Sequence, residues 1–214
     1  MTENSIQISI FTFRMRHLII IFSLITHSFY SFSQDKQLEL VESISYSLNN
    51  DYAAVDSIIA LNGDKVVHLD QDEKFEFLLN ELSYYLTSNT YDSALFQNRL
   101  IKYKVINLDR DMLLLLGAAL NDNEIITGFD KVNNELIQGP DRKAIYFALK
   151  GYSETESSSV TLFFEKALKH AKAAQIPTIP SLVLNLISTK YKSLGNYKKA
   201  VEYYQKGIED ANAK

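Results

Sequence analysis

The chain has 214 residues, of which 46% are hydrophobic and 22% charged, a composition that excludes an intrinsically disordered protein. Seven glycines and three prolines supply too few turn residues for an all-β fold, so the composition predicts an all-α fold. The net charge of −4 and the scattered basic residues argue against a nucleic-acid partner. The absence of cysteine excludes disulfides and thiolate chemistry.

The N-terminus has the layout of an export signal. Two arginines precede the apolar run Leu18–Ile25, and Ser31 and Ser33 are small residues at the −3 and −1 positions of a cleavage site. The sequence therefore predicts a signal peptide over residues 1–33, removed after Ser33. The mature protein is expected to be periplasmic or extracellular.

An uncleaved membrane anchor is the alternative interpretation of the same segment. A transmembrane helix needs roughly 20 apolar residues, whereas polar side chains interrupt this run from Thr26 onward. Cleavage is therefore favoured, and contact with a membrane is expected only through an uncleaved signal segment. Met15 directly precedes the basic and apolar parts of the signal, so we expect it to be the true initiator.

The body of the chain, residues 34–214, contains apolar residues repeated at the spacing of one helix face. The helices predicted in this way are 35–49, 72–87, 124–137, 156–174, 181–194 and 197–211. Loop residues group them into pairs whose second helices begin near residues 52, 91, 124, 157 and 197. Because no pair can bury its apolar face alone, about five helical hairpins are expected to stack on one another.

Local signals place several helix ends. Asp70 followed by Glu73 predicts a capping box, and Asp141 is a second predicted helix start. Pro180 is expected to open the helix that Gly195 closes. The Ser, Thr and Glu side chains of 153–159 are expected to cap the helix that follows them.

The last predicted helix carries apolar or small residues at offsets of one helix face. They are Tyr197, Ala200, Val201, Tyr204, Gly207 and Ile208. This stripe predicts the packing face of the helix. The small residues Ala200 and Gly207 are expected to allow a close approach to the preceding helix, which would explain a glycine in a helix interior.

The turn and second helix at Leu194–Ile208 resemble a tetratricopeptide repeat. The matching positions are Gly195, Tyr197, Ala200, Tyr204 and Gly207. The first helix departs from the family pattern, with Leu184 where the family prefers Trp and Ser188 where it prefers Gly. The match covers residues 181–214, the family period of 34. Asn89–Ala94 repeats the signature of its turn, and Asn50–Val55 is a weaker copy.

The resemblance implies a right-handed solenoid of antiparallel helical hairpins that binds a partner on the surface lined by its first helices. The family's groove positions fall on Leu182, Asn185, Thr189 and Lys192 of the last repeat. The candidate partner-binding residues are therefore Asn185, Thr189 and Lys192. The amide and ammonium groups in this row are suited to a peptide backbone or a carboxylate.

No catalytic or cofactor-binding motif is apparent in the sequence. The histidines of the predicted mature chain, His68 and His170, lack the partners of a metal pair, and no metal or cofactor is expected. Carboxylates such as Glu76, Glu81 and Glu135 are interpreted as solvated helix faces. The sequence therefore predicts a protein that is not an enzyme.

Two functions follow from this interpretation. The first is an exported, non-catalytic scaffold that binds another protein or a peptide. The second is the sensor region of a bacterial signalling protein, because the architecture resembles the exported input regions that precede a histidine kinase or a helix-turn-helix regulator. The C-terminal repeat is also expected to expose a face that carries Leu186 and Tyr203, which predicts either self-association through this face or a further helix of a longer protein that covers it.

Overall fold

A computed structural model describes residues 54–121, 129, 132 and 134–212, all within the compact unit Ser43–Lys214. The described residues form helices and no strand, which confirms the all-α prediction. The eight α-helices of this part of the chain are α1 (Ala54–Val66), α2 (Gln71–Thr87), α3 (Ser93–Lys102), α4 (Asn107–Asn121), α5 (Pro140–Ser153), α6 (Ser157–Ala171), α7 (Ile179–Ser193) and α8 (Tyr197–Asn212). A short 3₁₀ turn, Asn134–Leu136, precedes α5.

The predicted starts of the second helices agree with the observed starts where the structure describes them. The second helices of the pairs begin at Ala54, Ser93, Ser157 and Tyr197, within two residues of the predicted positions. The predicted helix 35–49 and the predicted signal peptide 1–33 lie outside the described residues. The second helix predicted to begin near 124 also begins outside them.

The predicted apolar face of 124–137 is described only in part. Phe129 and Val132 are buried as expected, whereas Leu136, predicted on the same face, is 62% exposed. That part of the prediction is wrong because Leu136 lies in a 3₁₀ turn and not in a continuous α-helix. The run around Leu113 and Leu116 is, as predicted, a helix with a buried side.

The N-terminus of α2 is closed by the predicted capping box. The Asp70 side chain accepts hydrogen bonds from the backbone N–H groups of Asp72 and Glu73, both at 2.9 Å, and the Glu73 carboxylate accepts from the Asp70 N–H. These contacts satisfy donors that would otherwise lack a partner in the first turn of the helix.

We expect Asp70→Ala to lower the free energy of unfolding by about 1 kcal/mol, because the N–H groups of Asp72 and Glu73 lose the carboxylate that accepts from them. Urea denaturation followed by circular dichroism measures the change. The control is Asp64→Ala, at an exposed position in α1. If both variants have the same midpoint, the capping box does not stabilise α2.

The helix start predicted at Asp141 is confirmed within one residue, whereas the predicted capping by the side chains of 153–159 is wrong. Helix α5 begins at Pro140, and the Asp141 side chain instead accepts hydrogen bonds from the N–H groups of Gln175 and Ile176, at 2.9 and 2.8 Å, in the loop after α6. The first residue before α6 is Glu156, whose side chain makes no capping hydrogen bond. It accepts instead from the Ser158 hydroxyl at 2.7 Å.

Three helices end in the same left-handed turn. Gly195 after α7 has φ +73°, and Asn89 and Lys104, after α2 and α3, have φ near +55°. In each turn the N–H of the following residue bonds to a carbonyl five residues back, as in Asn196 to Tyr191 at 2.8 Å. This is the Schellman arrangement, and it supports the predicted likeness between the turns at Asn89 and Gly195.

Packing runs mainly between helices that are neighbours along the chain. The pairs in close contact are α1 with α2, α3 with α4, α4 with α5, α5 with α6, α6 with α7 and α7 with α8. Contacts of α2 with α4 and of α5 with α7 join alternate helices. Two further contacts join helices that are farther apart in the chain. Helix α4 contacts α7, and the hydroxyl of Thr178, directly before α7, donates to the buried Asn80 of α2 at 3.2 Å.

Helix α8 does not bury the stripe that the sequence predicts. Ala200 is buried, and the Ser188 hydroxyl of α7 donates to its carbonyl at 2.7 Å, so the two helices do meet there. Tyr197, Val201, Tyr204 and Ile208, however, are exposed. The helix packs on α7 through its small residues, which turns its large apolar side chains to solvent.

The prediction that Leu186 and Tyr203 form an exposed apolar face is also wrong. Leu186 is fully buried, and the Tyr203 ring stacks on Tyr191 with centroids 5.7 Å apart. Neither residue forms an open apolar face. Gly207 was also expected to be required by close packing, but an added Cβ would lie 3.5 Å from the Leu184 Cβ, an ordinary contact.

Candidate binding groove

A groove of about 680 Å³ lies where α6, α7 and α8 meet. Its walls are mostly apolar, with two lysines. The lining residues are Leu168, Ala171, Lys172, Ala174, Pro180, Leu184, Tyr203 and Lys206. A volume of this size, with apolar walls and few polar groups, is typical of sites that take a small ligand or the side chains of a peptide.

Local features of the sequence shape two walls of the groove. Pro180 lies in the first turn of α7, where its fixed φ suits the start of a helix. On α8, the Tyr203 ring rests on Tyr191 of α7, and the Lys199 ammonium lies over the other ring of this pair, 4.8 Å from the Tyr191 centroid. The wall formed by Tyr203 is therefore fixed by aromatic contacts.

The electrostatic character of the groove is positive. Among the described residues, Lys172 and Lys206 are the only charged ones that line it. The Lys206 ammonium donates to Glu202 at 2.8 Å, which raises the pKa of Lys206, and it lies 5.2 Å from the Tyr203 ring centroid. Burial raises the pKa of the Tyr203 hydroxyl, so this wall carries no negative charge at neutral pH.

The structure places the predicted partner-binding row beside the groove and not in its wall. Asn185 and Lys192 are exposed and Thr189 is half-buried, so the row faces solvent along α7. Leu182, at the fourth family position, is buried and is unavailable to a partner. The wall residue Leu184 precedes Asn185 directly, so the predicted row and the groove wall share α7 but lie on different faces of it.

A buried charged pair was missed by sequence reasoning. Glu81 is fully buried and pairs with Arg99 of α3, so its interpretation as a solvated carboxylate is wrong. The Tyr85 hydroxyl donates to the same carboxylate at 3.0 Å. Burial raises the pKa of Glu81, and the neighbouring Arg99 and Tyr85 oppose that rise. Glu135, by contrast, is exposed as expected.

A second charged cluster joins three helices. Arg142 of α5 binds both carboxylate oxygens of the fully buried Asp109 of α4, at 2.7 and 2.8 Å, and binds Asp72 of α2 at 2.6 Å. Its guanidinium carbon lies 4.6 Å from the ring centroid of Phe75. Hydrogen bonds to Asp109 raise the pKa of Arg142. Each of the three guanidinium nitrogens donates to a carboxylate, so this cluster links α2, α4 and α5 and is interpreted as structural.

The remaining polar surface of note lies between α5 and α6. Phe147 stacks on His170 with centroids 5.5 Å apart, and the Lys166 ammonium lies 5.6 Å from the Phe147 centroid. Burial lowers the pKa of His170, and the nearby Lys143 and Lys169 add to the effect. A neutral imidazole on an aromatic ring is accounted for by packing, and nothing in this cluster indicates catalysis.

Among the described residues, no group of three His, Asp or Glu side chains could hold a metal ion. None of the helices described is long and apolar enough to cross a membrane. The chain matches no family model, no curated protein and no solved structure. The class of protein therefore has to be argued from the helical fold and the groove.

Proposed function

We propose that the protein is an exported, non-catalytic scaffold of the tetratricopeptide type whose helical hairpins form a solenoid and bind an extended segment of another protein. The observation that carries the proposal is the groove between α6, α7 and α8, whose described lining residues are mostly apolar and include two lysines. The family resemblance at residues 181–214 and the repeated left-handed turns support the solenoid.

The chemistry of the groove defines the kind of segment it would accept. Leu168, Leu184 and Pro180 offer apolar contact to one or two aliphatic or aromatic side chains. Lys172 and Lys206 would attract a carboxylate beside them. The amide of Asn185, exposed on the same helix as the groove wall, would bond the backbone of the segment beyond the groove. The expected ligand is a peptide with an apolar residue next to Asp or Glu.

Binding to an immobilised library of decapeptides tests this proposal. The wild-type chain should select peptides with an apolar residue adjacent to an acidic one. Reversing both charges in Lys172→Glu/Lys206→Glu should weaken binding of the selected peptides by at least about tenfold, equivalent to about 1.4 kcal/mol, because attraction becomes repulsion. Both lysines are exposed, so the fold should persist.

The matched control is Lys65→Glu, an exposed lysine on α1 outside the groove. It should bind the selected peptides like the wild type. Equal binding by the double variant, or selection of peptides with no acidic residue, would count against the groove as the binding site. Circular dichroism of each variant separates loss of binding from loss of structure.

A further inference from the structure

Helix α8 turns a continuous apolar face to water. Its side chains are exposed by 67% at Tyr197, 55% at Val201, 56% at Tyr204 and 47% at Ile208. Leu194, in the turn before the helix, extends the row. Single exposed apolar residues are common on protein surfaces, but a row along one helix face marks a contact surface.

The spacing of the row is that of a helix–helix seam. Successive members are separated by three or four residues from Leu194 to Ile208, which is the pattern of the core positions in a coiled coil. The contacts of α8 within the chain use its other side, where Ala200 is buried and Tyr203 is stacked on Tyr191. The seam is therefore unused by the described part of the chain.

We propose that this seam, formed by Leu194, Tyr197, Val201, Tyr204 and Ile208, pairs with the same seam of a second copy in an antiparallel arrangement. A two-fold axis through the middle of α8 places Val201 opposite Tyr204 of the second copy, and Tyr197 opposite Ile208 of the second copy. Each β-branched aliphatic side chain then meets an aromatic ring. Such a surface is complementary to itself, as an isologous dimer requires.

Charge favours this occupant and this direction. Lys198 lies at the start of α8 and Glu209 near its end, both exposed, and helical spacing places them along the same edge of the seam. The antiparallel pair brings each lysine next to the glutamate of the other copy, twice per dimer. A parallel pair would place the two copies of this edge on opposite sides of the seam, so the lysine–glutamate pairs would not form. Within the described residues neither side chain has an ion-pair partner.

The dimer is independent of the proposed peptide groove. Lys206 and Tyr203, which line the groove, lie on the side of α8 away from the seam. Pairing through the seam would leave both grooves open, so the dimer would present two of them and gain avidity for a partner with repeated segments. Either proposal stands if the other fails.

Sedimentation equilibrium of the full chain over a wide concentration range tests the dimer. The wild type should show a reversible monomer–dimer equilibrium. Tyr204→Glu, which places a charge in the middle of the seam, should raise the dimer dissociation constant by at least about a hundredfold. The matched control is Leu162→Glu, an exposed apolar residue of α6, which should leave the equilibrium unchanged.

The antiparallel register has its own test. Lys198→Glu and Glu209→Lys should each weaken the dimer, and the double variant, which restores opposite charges, should recover it. A monomer at every concentration, or a dimer insensitive to Tyr204→Glu, would overturn the proposed surface. A dimer weakened by Tyr204→Glu but indifferent to all three charge variants would overturn the antiparallel pairing.

Discussion

Replacing Arg142 by methionine is expected to lower the free energy of unfolding by about 3–5 kcal/mol, the largest effect of any single substitution considered for this protein. The change leaves the Asp109 carboxylate fully buried without the guanidinium that binds both of its oxygens. It also removes the bond to Asp72 and the stacking over Phe75. Helix α5 therefore loses the side chain that links it to both α2 and α4. Urea denaturation measures the change.

A control variant and a double variant test whether the loss comes from the buried charge. Arg110→Met is the matched control, because Arg110 is partly exposed and pairs only loosely with Asp111 at 3.8 Å, and its cost should stay within about 0.5 kcal/mol. The double variant Arg142→Met/Asp109→Leu should recover much of the loss, since it removes the buried charge as well as its partner. Equal denaturation midpoints for Arg142→Met and Arg110→Met would show that the cluster is not a structural tie.

The second large effect is expected at Gly151 in α5. Alanine at this position should destabilise the protein by about 1–3 kcal/mol even though alanine is the better helix former. An added Cβ would meet the Phe164 ring of α6 at 2.6 and 2.7 Å. Phe164 is buried and packs edge-on against Tyr191 of α7, so it has no space into which to move. Thermal denaturation measures the loss.

Gly207 in α8 provides the matched control for this substitution. The same change there adds a methyl group at an ordinary contact distance from Leu184. Gly207→Ala should therefore stabilise the helix by about 0.5–1 kcal/mol, through the lower conformational entropy of the unfolded chain. Opposite signs are the expected result. Stabilisation by both substitutions would mean that α5 and α6 do not approach closely at Gly151.

The groove illustrates which features of a candidate binding site can be predicted from the spacing of residues in the sequence. The family resemblance identified α7 as the surface helix and correctly gave Asn185 and Lys192 solvent-facing positions. The hollow beside them is formed by Leu168 of α6 and Tyr203 of α8 together with Leu184, and these residues come from three helices. No spacing within one helix encodes that meeting, because it depends on how the helices cross.

The sequence by itself determined the helical class, the starts of several helices and some of their ends. Those features depend on short-range chemistry: the Asp70 carboxylate reaches N–H groups two and three residues ahead, and Gly195 can adopt a positive φ without a Cβ. Apolar spacing located α2, α6, α7 and α8 for the same reason, since a helix repeats every few residues.

Tertiary structure decided which of the available faces became buried. Helix α8 contacts α7 through the face that carries Ala200, because helix axes approach most closely where side chains are short. The face that carries the larger residues from Tyr197 to Ile208 is exposed to solvent. It also decided that Glu81 is buried, since its partner Arg99 comes from another helix. Burial and pairing depend on residues distant in the chain, whereas periodicity reports only on neighbours along it.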